Sequence, residues 1–143
     1  MTRSREQDRL DVIEKLIQEL KERGPEVAVL VEGSRDVAAL EALDVPGPLL
    51  SINTGASLLN LCESIATSYE SFIILTDWDR KGVQLAKRLE EILVSTGVPA
   101  DLDFRRRLGR ALPYQIHDVE ALHAHVRRLR LAVGVAERRP SSM

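Results

Sequence analysis

Three short apolar runs, at residues 27–31, 49–52 and 72–76, limit what this chain can fold into more than any other feature. Each is nearly continuous in valine, isoleucine and leucine and too short for a buried helix. That pattern fits strands covered on both faces of a parallel sheet. Segments of helix length lie between them, so the expected fold class is α/β, with a parallel sheet flanked by helices and right-handed crossovers. In the flavodoxin-like order 2-1-3-4 the switch point falls between the first and third strands. Open sheets of this kind bind ligands there, outside the carboxyl ends of the strands.

The spacing predicts an extra N-terminal amphipathic helix over 5–23, with Leu10, Ile13, Ile17 and Leu20 on one face and Asp11/Lys15 and Glu19/Arg23 as i,i+4 pairs. Gly24-Pro25 ends it. Helices follow at 37–43, 56–67 and 81–95, the last with an apolar face of Val83, Leu85, Leu89, Ile92 and Leu93. A weak fourth strand is expected at 100–104, an irregular basic loop at 105–113, and a final helix at 119–133 carrying Leu122, Val126 and Leu129. The organisation is then a helix at 1–25 packed on a domain at 26–135, with a frayed tail at 136–143.

With 143 residues and 44% hydrophobic content there is room for one domain and one real core, and 3% aromatics makes that core aliphatic. The single cysteine, Cys62, excludes a disulfide framework and a multi-cysteine zinc site, and its apolar-periodic setting predicts a buried thiol. No stretch is long and apolar enough to cross a bilayer, and the polar N-terminus is not a signal peptide. A cytoplasmic protein with no membrane partner is expected. The net charge of −2 hides an asymmetry: residues 1–103 carry 11 basic and 19 acidic side chains, while 104–143 carry 9 arginines against Asp118, Glu120 and Glu137. The basic end suits a polyanionic partner, or equally a solvated arginine-rich helix.

Asp77 and Asp79 stand just past the third strand, followed by Arg80, Lys81 and Gly82. Two acids so close repel each other unless a cation lies between them, and Mg²⁺ takes one or two such carboxylates. They read alternatively as solvated turn aspartates. Glu32 ends the first strand, with Gly33 after it and Asp36 at the start of a helix. The strand order brings Glu32 to Asp77 and Asp79, and three carboxylates from two distant segments in one crevice favour the metal site. Arg105, Arg106, Arg107 and Arg110 follow the fourth strand, on the same edge of the sheet as the acids, where they would contact phosphate. His117, His123 and His125 could be read as a metal cluster, but His123 and His125, two apart on a helix, point to different faces, so surface or capping histidines are expected. Tyr69 and Tyr114 are expected to pack. No Walker or dinucleotide fingerprint is present. A receiver-domain phosphoacceptor at Asp77 would need two acids after the first strand, where Glu32 stands alone.

The segments Val31-Glu32-Gly33-Ser34-Arg35-Asp36 and Thr76-Asp77-Trp78-Asp79-Arg80-Lys81-Gly82 resemble the glutamate and Asp-x-Asp motifs of Toprim domains. These are the catalytic domains of bacterial-type primases, type IA and type II topoisomerases and certain nucleases. The resemblance extends from about residue 26 to 104, and the short chain is most similar to small stand-alone Toprim proteins and the ribonuclease that matures 5S ribosomal RNA. It implies Glu32 as general acid/base or shared metal ligand, and Asp77 and Asp79 as holders of Mg²⁺ or Mn²⁺. Gly33, Gly55 and Gly82 would let backbone approach phosphate, with Arg35, Asp36, Arg80 and Lys81 beside it. Many members have lysine where Ser34 stands, and Arg35 is the nearest cation. The function implied is Mg²⁺-dependent phosphoryl transfer on RNA or DNA, of nuclease type. Two alternatives stand beside it: a noncatalytic nucleic-acid-binding or assembly subunit, with another copy or a protein as partner, and a small phosphohydrolase with a closed pocket.

Overall fold

At the centre, β1 (Val27–Val31) pairs in parallel with β3 (Ser71–Ile74), Leu30 opposite Ile74. β2 (Leu49–Ser51) lies against the other side of β1 and β4 (Ala100–Asp101) against β3. The order is therefore β2-β1-β3-β4, the one the crossover rule favours. This computed structural model describes residues 4–134; the tail expected at 136–143 lies outside them. Among the described residues the four strands are flanked by α1 (Arg5–Glu22), α2 (Ser34–Ala42), α3 (Leu58–Ala66), α4 (Arg80–Ser95), α5 (Asp103–Ala111) and α6 (Leu122–Ala132).

Successive residues of a strand face opposite ways, and β1 divides its side chains accordingly. Val29 and Val31 join α1, α2, α5 and α6 in one core; Ala28 and Leu30 join α3 and α4 in the other. Cys62 is fully buried in the second, and burial pushes its thiol above the ordinary value. Tyr69 packs edge-on against Phe72 with ring centroids 5.7 Å apart. The stripe Leu10, Ile13, Leu16, Ile17 and Leu20 seats α1 on α5 and α6, so the N-terminal helix is part of the core.

Several expectations need correction. Residues 105–113 are not a loop: α5 covers Asp103–Ala111, because Phe104, Leu108 and Leu112 recur every fourth residue and bury, and arginine is a good helix former. The fourth strand stops at Asp101, whose carboxylate accepts from the Asp103 N–H (2.7 Å) and turns the chain into α5. Tyr114 does not pack; it is 82% exposed. His125 is buried, since it shares the inward face of α6 with Leu122, Val126 and Leu129. Its Nε2 has no partner among the described residues, and burial, then Arg128 and Arg9, hold its pKa below the ordinary value. The last helical segment also begins as a single 3₁₀ turn at Val119–Ala121 before α6.

Arg23 was expected to pair with Glu19, but Glu19 binds Arg107 of α5 instead (2.6 Å). The Arg23 guanidinium donates to the carbonyls of Leu20, Val27, Pro46 and Pro48 at 2.8–3.0 Å. It thereby joins the end of α1, the start of β1 and the entry to β2. Arg23→Ala would leave these carbonyls without their shared donor and should destabilise the protein by roughly 2–3 kcal/mol, the scale of charge-assisted hydrogen bonds. Arg23→Lys should recover little, because an ammonium lacks the fork. Urea unfolding measures both; a loss under about 0.5 kcal/mol for the alanine variant, the range of ordinary surface changes, would contradict the assignment.

Candidate metal and phosphate site

The crevice forms where two segments leave the sheet. Leu75 still donates to the Leu30 carbonyl (2.8 Å), but the next donor along, the Asp77 N–H, goes to the Glu32 side chain, Oε2, at 2.8 Å. The Glu32 and Asp77 carboxyls lie close enough to influence each other's ionisation. Burial foremost, with the Asp77 and Asp79 charges behind it, pushes the Glu32 carboxyl above its ordinary value. Burial likewise raises Asp77, aided by Asp118 and Asp79 and opposed by the Val119 N–H that donates to Asp77 Oδ1 (2.9 Å). Asp79 is the N-cap of α4, accepting from the Gly82 N–H at 2.7 Å. Asp36, buried at the start of α2, accepts from the Gly33 N–H (3.0 Å), and burial raises its pKa too.

The structure thus brings Glu32, Asp77 and Asp36 into one cleft of about 690 Å³, together with Arg35 and Lys81. Asp118 and Glu120 line the same cleft and were missed as site residues. The signal was there: acids are scarce in 104–143, three against nine arginines, and two of the three stand together. Arg80 is exposed at the start of α4. The glycines behave differently from one another. Gly55 has φ +83°, a conformation that favours glycine, and a Cβ at Gly33 would meet nothing. A Cβ at Gly82 would collide with the Asp77 carbonyl.

The arginines of α5 also differ. Arg105 lies behind the Asp77 loop and donates to the carbonyls of Thr76 (3.0 Å) and Asp77 (2.6 Å). Burial lowers its pKa, while Glu32, Asp77 and Asp79 favour its charge. The Trp78 indole returns a bond to the Arg105 carbonyl (2.9 Å), and a Cβ at Gly109 would strike the indole ring. Thr76, fully buried, donates to the Gly82 carbonyl (2.7 Å), and the Trp78 N–H donates to His117 (2.7 Å). The loop carrying the aspartates is therefore held from three sides. Arg107 is committed to Glu19 of α1, Arg106 lies 3.7 Å from Asp103, and Arg110 is exposed. The four do not form one phosphate-facing run.

Among the described residues no three or more His, Cys, Asp or Glu side chains are disposed to hold an ion together. The donor set fits a hard cation that takes one or two carboxylates and completes its shell with water and phosphate, as Mg²⁺ does. Glu32 and Asp77 would hold it, with Asp79 at the rim.

The order β2-β1-β3-β4 with helices on both faces makes this a small α/β protein with a parallel sheet. The chain belongs to the UPF0292 family. It is 39% identical over 132 residues to a UPF0292 protein of Methanosarcina barkeri, covering 92% of each chain. It is 40% identical over 129 residues to one of Methanosarcina acetivorans, covering 90% of this chain and 89% of that one. A relative in Thermococcus gammatolerans is 40% identical over 116 residues, 80% of each. The solved structure of a putative protein from Aquifex aeolicus, 27% identical, matches with a TM-score of 0.65 over 75% of this chain and 94% of that one. No family model matches.

Glu32 and Asp77 both carry raised pKa values. Their contribution to stability is therefore full below the ordinary carboxylate range and is lost as pH rises through the raised values. A cation that binds the folded state should restore it at neutral pH, raising the melting temperature, and should do less at mildly acidic pH, where protons already neutralise the pair. Asp77→Asn with Asp79→Asn keeps both side-chain acceptors, so it should stabilise the metal-free protein and abolish the Mg²⁺ response. A wild-type response in that variant would place the cation elsewhere.

Proposed function

We propose that this chain is a Toprim-type domain performing Mg²⁺- or Mn²⁺-dependent phosphoryl transfer on nucleic acid, of nuclease type. The observation that carries the reading is the Glu32 carboxylate accepting the Asp77 N–H at the switch point, with Asp79 capping the next helix. Phosphoryl transfer asks a protein mainly for positioning and for neutralisation of charge. A bound divalent cation would supply a Lewis acid that polarises the phosphoryl oxygens. Asp77 and Glu32 would hold such a cation, Lys81 and Arg35 would draw the phosphodiester to the mouth of the cleft, and Glu32 would give or take a proton at its carboxyl. A bound cation would offset the raised pKa of Glu32, so its readiness to give or take that proton depends on metal occupancy.

Arg105 is a positioning residue in this scheme. It touches the backbone of the Asp77 loop and lies behind the acids. Arg105→Lys keeps the charge but not the fork, so it separates position from electrostatics. Loss of a group that orients a ligand lowers metal affinity about 10–100-fold. Mg²⁺ titration calorimetry should show a drop of that order for Arg105→Lys, and unchanged affinity would mean the loop holds itself.

A second reading, a noncatalytic nucleic-acid-binding or assembly subunit, draws on the carboxylates' existing backbone partners: Glu32, Asp77 and Asp79 each already accept an N–H. Glu32→Gln separates the two. The amide keeps an acceptor for the Asp77 N–H and removes the titrating group, so turnover should fall by about 10²–10⁴-fold while nucleic-acid binding survives. Cleavage assays with Mg²⁺ and Mn²⁺ on structured RNAs and DNAs measure it. Normal cleavage by the variant would leave Glu32 as a ligand only. Absence of cleavage by the wild-type protein would favour the binding subunit.

A further inference from the structure

The cleft lining is of two kinds: carboxylates with Lys81 and Arg35, and an apolar wall of Ile52, Ala56 and Leu58 with Asn53 on the β2–α3 side, extended by Leu85 one turn beyond Lys81 on α4. Ile52 and Leu58 are only partly buried against the α3–α4 core, so each shows a face to the cleft. Asn53 is exposed, and its carboxamide makes no hydrogen bond among the described residues. Neither Lys81 nor Arg35 lies on β2, α3 or the loop between them, so this side brings no cationic side chain to the cleft. An apolar wall with one convergent polar group is the make-up of a site for an uncharged planar group, with the polar group fixing orientation.

We propose that this wall is a nucleobase subsite, and that the substrate strand enters the cleft unpaired. The proposal rests on the nucleic-acid reading above and adds the class of strand. A nucleotide matches the asymmetry of the cleft: its phosphate meets the cation-and-carboxylate side while its base lies along Leu58 and Leu85. The amide of Asn53 presents both a donor and an acceptor to a base edge, the pairing by which Asn recognises adenine. In a duplex the base faces are stacked and the edges paired, so neither the wall nor Asn53 would find a partner. Proteins that bind single strands usually stack bases on aromatic rings. This cleft has none, so the base is held by contact with aliphatic side chains.

Fluorescence anisotropy with a labelled oligonucleotide and its blunt duplex, in Mg²⁺, tests the proposal on the full chain. The single strand should bind at least about tenfold more tightly than the duplex, a factor equal to about 1.4 kcal/mol. Leu58→Ser should erase most of that preference while leaving the salt dependence of duplex binding unchanged. Asn53→Ala, at an exposed position that does not threaten the fold, should reduce discrimination between adenine-rich and other strands. Equal or tighter binding of the duplex by the wild-type protein overturns the proposal, as does a preference that survives both substitutions. Mg²⁺-dependent binding with no strand preference sinks the subsite and leaves the nucleic-acid reading intact, whereas no binding of either oligonucleotide removes both.

Discussion

The site depends on one hydrogen bond, from the Asp77 N–H to Glu32 Oε2 at 2.8 Å. In a parallel ladder the donors of one strand reach the carbonyls of its neighbour at even intervals. After Leu75 binds Leu30, the next rung would run from Asp77 to the Glu32 carbonyl. That carbonyl instead accepts from Ser51 Oγ (3.3 Å), and the Glu32 side chain takes the rung. The sheet thus ends in a carboxylate where a backbone carbonyl would ordinarily stand. β1 and β3 are the strands on either side of the switch point, so this exchange brings an acid from each into contact.

The exchange has an electrostatic consequence. Glu32, Asp36 and Asp77 are each pushed up by burial first; the Asp77 charge adds to Glu32 and Asp36, Asp118 to Asp36 and Asp77, and Glu120 to Asp36. Against them stand Lys81 and Arg35 in the cleft and Arg105 behind it. A protein selected for stability alone would not gather five carboxylates around one cavity. Local rules broken without compensation mark a functional site. The supports around it, Thr76 to Gly82 and Arg105 to the loop carbonyls, keep the acids in place despite their repulsion.

The parts legible in the sequence were those set by short-range pattern. Strands β1, β2 and β3 announced themselves as β-branched apolar runs, and crossover handedness left few orders to choose among. Glu32 and Asp77 could be joined because each ends such a strand. What was hidden depended on partners distant in sequence. The run Arg105-Arg106-Arg107 reads as a polar loop until Phe104, Leu108 and Leu112 are seen to bury, and which way each arginine turns is decided by Glu19 and by the Asp77 loop. His125 shares the inward face of α6 with Leu122, Val126 and Leu129, a placement that its two-residue spacing from His123 does not reveal. Asp118 and Glu120 flank Val119, whose N–H binds Asp77 in a contact across 42 residues that no local pattern reveals.

The central claim is that the Glu32–Asp77 pair, with Asp79 at its rim, is a divalent-cation site. Diffraction from crystals grown with Mn²⁺ tests it most directly, because the ion's anomalous signal locates it without reference to activity. The account predicts a peak between Glu32 and Asp77, within coordination distance of at least one carboxylate oxygen of the pair, and lost in the Asp77→Asn protein. A crystal saturated with Mn²⁺ that shows no peak in this crevice, or one only at Asp118 and Glu120, would contradict it.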